Sequence, residues 1–239
     1  MIQLKEQIID TTERGLRSIL GLNLKKAFDR VEHAAILERI AQHGRAERTY
    51  NYIRNFLTGR TARIRLDEER SIQVDMGSTG TPQESVVSPM LFNVIMTGLS
   101  EKLEQIEYIN DTVYANNITI WTMKDTSERE MENKLQGAVE AVQYNLEGTL
   151  LECSQGKSEL LLYHPSKLGT PFRDVAELQK RGIRIATRNG TEIPMVQKIT
   201  VLGLWIEARG TNAETVTASK RKSRRPLGYY RGSPTAEGT

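Results

Sequence analysis

Asp111-Thr112-Val113-Tyr114-Ala115-Asn116-Asn117-Ile118-Thr119-Ile120-Trp121-Thr122 is the stretch from which the fold of this chain is read. Val113 and Ala115 sit in one short β-prone run, and Ile118 and Ile120 in a second. Asn116 and Asn117 lie between the runs. Asparagine tolerates a positive φ better than most residues, so such a pair suits the two-residue loop of a tight hairpin. The expectation is a β-hairpin with both asparagines at its tip.

The composition around this stretch suits a packed chain with a polar surface. The 239 residues can form one large domain or two small ones. Hydrophobic residues make up 38% and charged residues 26%, which is compatible with a globular core. A net charge of +3 and a pI near 8.9 permit a nucleic-acid partner without demanding one. Cys153 is the single cysteine, so an internal disulfide is excluded and a reducing compartment fits. Lys5, Glu6 and Asp10 interrupt the N-terminus as a signal peptide, and the expectation is an intracellular protein of the nucleus or cytoplasm. The most apolar run, Val86 to Leu99, contains Ser88, Pro89 and Asn93 and is too short to span a bilayer, so no membrane is expected as a partner. His33, His43 and His164 show no zinc-ligand spacing.

Working outward along the chain, Leu4, Ile8 and Ile9 predict a helix over residues 3–13. Residues 17–24 read as a buried strand. Asp29-Arg30-Val31-Glu32 is a capping-box pattern in front of a helix that ends at Gly44. Another helix is expected from Glu47 to Leu57, then a hairpin of strands 61–66 and 71–75. A glycine-rich loop, residues 77–83, leads into an apolar helix over roughly 85–104 with Pro89 near its first turn, where proline is tolerated. Beyond the 111–122 hairpin, a helix over 127–148 has Met131, Leu135, Ala138, Val139 and Val142 on its core face. Residues 158–163 form a strand, Asn189-Gly190 signals a hairpin between 183–187 and 192–196, and 199–206 reads as a last strand. Residues 209–239 carry a run of lysine and arginine with Pro226, Gly228, Gly232 and Pro234, and are expected to be a basic, disordered tail.

Five segments in this order carry a resemblance. Leu22-Asn23-Leu24-Lys25-Lys26-Ala27-Phe28-Asp29 resembles the first palm motif of the reverse transcriptases of non-LTR, LINE-type retrotransposons. Gly80-Thr81-Pro82-Gln83-Glu84-Ser85-Val86-Val87-Ser88-Pro89 resembles their second. Tyr114-Ala115-Asn116-Asn117 is similar to their Tyr-Ala-Asp-Asp hairpin. Glu152-Cys153-Ser154-Gln155-Gly156-Lys157-Ser158 resembles the fourth motif, and Val201-Leu202-Gly203-Leu204-Trp205-Ile206 the primer-grip strand. The resemblance covers about residues 1–208. It implies an α+β fold: an antiparallel polymerase palm sheet of split βαβ type backed by helices, with a fingers remnant and a loose tail. It also implies RNA-directed DNA polymerase activity, with an RNA template, a DNA primer and a dNTP as partners and Mg²⁺ as cofactor.

In such enzymes two Mg²⁺ ions activate the primer 3′-oxygen and clamp the triphosphate, and three aspartates hold them. The matching positions here are Asn23, Asn116 and Asn117, all amides. Mg²⁺ prefers charged oxygen ligands, so three negative charges are missing from a site that must hold two divalent ions. The metal site is therefore expected to be weak or lost and the enzyme impaired. Asp29 lies six residues beyond Asn23, about 20 Å along a strand, and is no replacement. Asp111, five residues before Asn116, falls on the opposite strand face by parity.

By the same resemblance Phe28 is either the gate that senses the sugar 2′-position or a core aromatic. Pro82 and Gln83 line the nucleotide and template pocket, or form only the turn leading into the next helix. Glu84 stands where the family has glycine, which allows unusual φ and close backbone approach. Tyr114 is grouped with these substrate-binding positions. Lys157 matches the lysine proposed as general acid toward pyrophosphate, or is an exposed loop lysine. Lys25, Lys26 and Arg30 either meet phosphates or are solvated. With 22 residues ahead of Asn23, the basic fingers residues of the family are expected to be missing. The departures at 23, 84, 116 and 117 are all compatible with single G→A changes in the coding DNA. Three functional readings follow: a degenerate polymerase palm, a non-catalytic nucleic-acid-binding remnant, or a relic without function.

Overall fold

A computed structural model describes residues 16–44, 47–67, 69–123, 127–163 and 182–208 of the chain. The helix expected over 3–13 and the tail 209–239 lie outside the described residues. In chain order the elements are β1 (Arg17–Asn23), α1 (Ala27–Arg30), α2 (His33–Gln42), α3 (Glu47–Leu57), β2 (Thr61–Ala62), β3 (Arg65–Leu66), β4 (Glu69–Arg70), β5 (Val74–Asp75), α4 (Val87–Met96), α5 (Leu99–Leu103), β6 (Ile109–Tyr114), β7 (Asn117–Thr122), α6 (Glu128–Asn145), β8 (Glu159–Tyr163), β9 (Met195–Val196), β10 (Lys198–Val201) and β11 (Leu204–Glu207).

The main sheet has the order β6-β7-β1-β8-β9. Its pairs are antiparallel except β8 with β9. β1 is central and its first four residues are all buried: Ile19 and Leu20 as core residues, Arg17 and Ser18 as buried polar ones, with Ser18 N donating to Thr122 Oγ1 at 3.0 Å. Side chains alternate across a strand, and both faces of this sheet are covered. Leu20, Leu22, Ile118, Ile120, Leu160 and Leu162 point into the core shared with the helices. Ile19, Trp121, Leu161 and Tyr163 belong to a second cluster under the β10–β11 hairpin, with Ile199, Val201 and Ile206. Each such buried aliphatic side chain contributes about 1.5–3 kcal/mol. Gly21 lets the two layers close: a Cβ there would lie 3.0 Å from Ile199 Cδ1.

The helical layer follows the predicted periodicity. On α6, Met131, Leu135, Ala138, Val139 and Val142 are fully buried. Ser127 caps that helix by accepting from Glu130 N, and Glu128 and Glu130 favour its positive end.

Four expectations change. The helix over 85–104 is broken: α4 ends at Met96, and Gly98, at φ 82, turns the chain before α5. Glycine adopts this left-handed conformation without a Cβ clash, so the helix stops there. The strand over 199–206 is a hairpin, β10 and β11, because Leu202 and Gly203 at φ 50 and φ 80 form its two-residue turn. The hairpin over 61–75 exists as two short paired pieces, β2 with β5 and β3 with β4. The capping box does not form: Glu32 precedes α2 without a side-chain cap, and Asp29 is engaged elsewhere.

Candidate functional site

The carboxyl end of β1 and the tip of the β6–β7 hairpin meet. Asn23 is the register partner of Asn117. The two-residue turn is Ala115-Asn116, since Tyr114 pairs with Asn117. This shifts the expected tip by one residue. Pairing with β1 holds Asn117 in the strand, and Ala115 takes the positive φ of 49.

Asn23 Nδ2 donates to Asn117 Oδ1 at 2.8 Å, Asn117 Nδ2 to Asn116 Oδ1 at 3.3 Å, and Asn116 Nδ2 to the Leu24 carbonyl at 3.4 Å. The Leu24 amide donates to the Asn116 carbonyl at 2.8 Å, so residue 116 is held by both backbone and side chain. The three asparagines thus form one chain of hydrogen bonds. From the other side, the segment 152–158 fixes the end of β1. Ser154 N donates to the Asn23 carbonyl at 2.6 Å, Asn23 N to Ser158 Oγ at 3.3 Å, and Lys25 N to the Glu152 carbonyl at 2.9 Å.

Two cavities flank this corner. One of about 430 Å³ lies between the sheet and the β10–β11 turn, bordered by Asn23, Tyr114, Asn117, Lys157 and Glu159. The other, about 480 Å³, is bordered by Lys26, Phe28, Pro82, Gln83, Glu84 and Asn116. The chain of amides therefore runs from one cavity to the other, and Phe28, Pro82, Gln83, Glu84, Tyr114 and Lys157 each line one of them, whereas Lys25 and Arg30 line neither.

The wall of the second cavity is built by clamping the glycine-rich loop onto residues 28–33. Thr81 N donates to the Phe28 carbonyl at 2.6 Å, Gly80 N to the Val31 carbonyl at 2.7 Å, and His33 N to the Ser78 carbonyl at 3.0 Å. His33 Nε2 donates to the Gly80 carbonyl at 2.7 Å. Gly80 is required here, because at φ 79 a Cβ would lie 2.8 Å from the Asp29 carbonyl oxygen. Gln83 Nε2 donates to Asp29 Oδ1 at 2.9 Å, which gives Asp29 its partner. Phe28 is half-buried and packs on Phe92 with ring centroids 5.0 Å apart, so it joins the core while facing the cavity. Glu84 is exposed at φ 63, in a conformation that glycine adopts without strain.

Asp111 turns toward the helical layer and accepts from Ser100 Oγ at 2.8 Å. Burial pushes its carboxyl above the ordinary value, with Glu104 and Glu101 adding to the rise and the Ser100 hydrogen bond opposing it. Burial also pushes the Cys153 thiol up to about 11. Cys153 bridges Leu24 directly beside the amide chain. His33 was not identified from the sequence as part of this corner. Its signal is relational: it acts on Ser78 and Gly80, far away in the chain.

A mainly antiparallel sheet with helices on one face, a tight hairpin meeting the end of the central strand and a clamped glycine loop define the class: a polymerase palm. A reverse transcriptase (RNA-dependent DNA polymerase) family profile matches residues 3–206, and the chain belongs to that family. It is 28% identical over 113 residues to the Retrovirus-related Pol polyprotein from type-1 retrotransposable element R2 of Popillia japonica, a match covering 47% of this chain and 16% of that relative. The match thus spans about a sixth of the relative's length. Among solved structures, apo telomerase from Candida tropicalis truncated from its C-terminal domain superposes with a TM-score of 0.55 at 10% identity, covering 87% of this chain and 37% of that one. Telomerase from the same organism in complex with a TWJ fragment of telomeric RNA gives a TM-score of 0.54 at 10% identity, covering 87% and 31%. At such identity the likeness is one of fold.

The residues at this corner do not fit a pair of hard divalent ions. Such ions take charged oxygens. Each amide here offers one uncharged oxygen, and those of Asn116 and Asn117 already accept from a neighbouring amide. Among the described residues no three His, Cys, Asp or Glu side chains gather as a metal-ligand set. Nor is any described helix long and apolar enough to cross a membrane.

Proposed function

We propose that this chain is the reverse-transcriptase palm of a non-LTR retrotransposon protein that keeps a cleft for template and primer and has lost metal-dependent nucleotidyl transfer. The observation that carries the reading is the hydrogen-bond chain that runs from Asn23 through Asn117 and Asn116 to the Leu24 carbonyl. Family members place carboxylates there to hold Mg²⁺, and amides bonded to one another cannot take that role. The remaining activity is binding of nucleic acid: an RNA template with a DNA primer.

Tyr114 is 65% exposed at the mouth of the cleft, which suits stacking on a base. Lys25, Lys26 and Lys157 are exposed around the same corner and suit phosphate contacts. Phe28, Pro82 and Gln83 would form the pocket facing the nucleotide, with Glu84 narrowing it. Lys157, read as the family's general acid, would serve here as a phosphate contact.

Primer extension on an RNA template, run in Mg²⁺ and in Mn²⁺, tests the reading. No extension in either metal, together with salt-dependent binding of the template–primer duplex, is the expected result. Extension above background overturns the loss of catalysis. Absence of any binding overturns the retained cleft and leaves the relic reading.

A further inference from the structure

We propose that the cavity beside Asn23 and Asn117 holds a phosphodiester backbone without any divalent ion, its amides donating to phosphate oxygens where relatives need a metal bridge. This rests on the nucleic-acid reading above and extends it to the ligand chemistry of one cavity.

The argument begins with the donor count. A primary amide has two N–H bonds and one carbonyl oxygen. The hydrogen-bond chain uses one N–H of Asn23 and one of Asn117. One N–H therefore remains on each, and both residues border the 430 Å³ cavity. Lys157 borders it too and is exposed. Two asparagines with an unused amide N–H and an exposed lysine thus border one cavity, and together they supply a donor set for a phosphate oxygen.

Charge decides which of the two cavities takes the backbone. In this one Lys157 and Glu159 balance, and the asparagines add nothing. In the other, Lys26 faces both Asp29 and Glu84, a net negative wall. With aspartate at 23 and 117 the first cavity would itself carry two more negative charges. It would then repel phosphate until a cation intervened. The amides remove that repulsion, and their mutual hydrogen bonds hold the corner in shape without a metal. Tyr114, at the same wall, offers its ring to an adjoining base.

The test is fluorescence anisotropy with a fluorescein-labelled DNA primer annealed to an RNA template, at fixed ionic strength, in EDTA and in Mg²⁺. The intact chain is expected to bind with affinities within about twofold of each other in the two buffers, beyond the general screening both share. Asn23→Asp with Asn117→Asp is expected to weaken binding in EDTA by about tenfold or more, with recovery in Mg²⁺. Lys157→Gln, at an exposed position, is expected to weaken binding equally in both buffers. An intact chain that loses affinity in EDTA overturns the inference, as does a double variant that binds like the parent there. If the double variant does not fold, the intact chain's two affinities still decide. An intact chain that binds no nucleic acid in either buffer overturns instead the functional reading on which this rests.

Discussion

Asn23 donates to Asn117 across 2.8 Å although 94 residues separate them in the chain. In a strand pairing the two would be neighbours in any case. What is specific is that both side chains are amides, so a donor meets an acceptor where two carboxylates would repel. The corner is held together by these hydrogen bonds, and its stability should not depend on metal.

This gives the first prediction. The triple substitution Asn23→Asp, Asn116→Asp and Asn117→Asp replaces three linked hydrogen bonds by like charges, each pair opposed by on the order of 1–4 kcal/mol at close range. In EDTA its Tm should fall by several degrees below the parent. Mn²⁺ should restore much of the loss by binding the folded state, and should leave the parent unchanged. Thermal melts of both chains with and without Mn²⁺ check this. Equal responses would show that the three side chains do not face one another as described.

The second concerns Glu84 at φ 63. The left-handed conformation costs a residue with a Cβ about 1–2 kcal/mol, offset in part by the greater unfolded-state freedom of glycine. Glu84→Gly should therefore raise the unfolding free energy by roughly 0.5–1 kcal/mol in urea titrations. Glu84→Ala retains the Cβ and should bring no such gain. A gain with alanine as large as with glycine would trace the effect to charge and not to backbone strain.

Asp111 sets a pH dependence. Its pKa is raised from 3.8 in the fold, chiefly by burial. The folded chain therefore keeps this proton at pH values where the unfolded chain has released it. The contribution to stability is fully present below 3.8 and is lost as pH rises through the folded value. Asp111→Asn keeps an acceptor for Ser100 and removes the titration. Its Tm should match the parent near about pH 3 and exceed it increasingly toward about pH 7. A constant difference across that range would count against the buried carboxyl.

Cys153 should be inert in the native chain. With its thiol pushed up to about 11, roughly one molecule in a thousand carries a thiolate at about pH 8, before access is considered. Alkylation by iodoacetamide should be slow in buffer and should accelerate by orders of magnitude in denaturing urea. Rapid labelling of the folded protein would mean that the Leu24–Cys153 bridge opens readily.

The sequence by itself determined what depends on neighbours within a few residues. Helix Glu47–Leu57 has the bounds read from the sequence, and the core face of Glu128–Asn145 is the one its spacing predicts. The palm class was legible because its motifs are contiguous runs of chemistry-bearing residues, now matched by the family over residues 3–206. Tertiary structure decided the rest, wherever a group had two partners of similar strength to choose between. Asp29 had a cap three residues away and Gln83 fifty-four residues away, and it takes Gln83 because the Gly80 loop is clamped beside it. Asn117 had a place in a turn, yet pairing with Asn23 draws it into the strand and hands the positive φ to Ala115. Residues 199–206 had the pattern of one strand, and the sheet face above Gly21 instead accepts a folded hairpin whose Ile199, Val201 and Ile206 cover Trp121. Local propensities differ by about 1 kcal/mol, and a paired strand edge or a buried side chain outweighs them. The hydrogen-bonded chain of the three asparagines is of this second kind: their identities stand in the sequence, and their contact exists only because a central strand and a distant hairpin share one register.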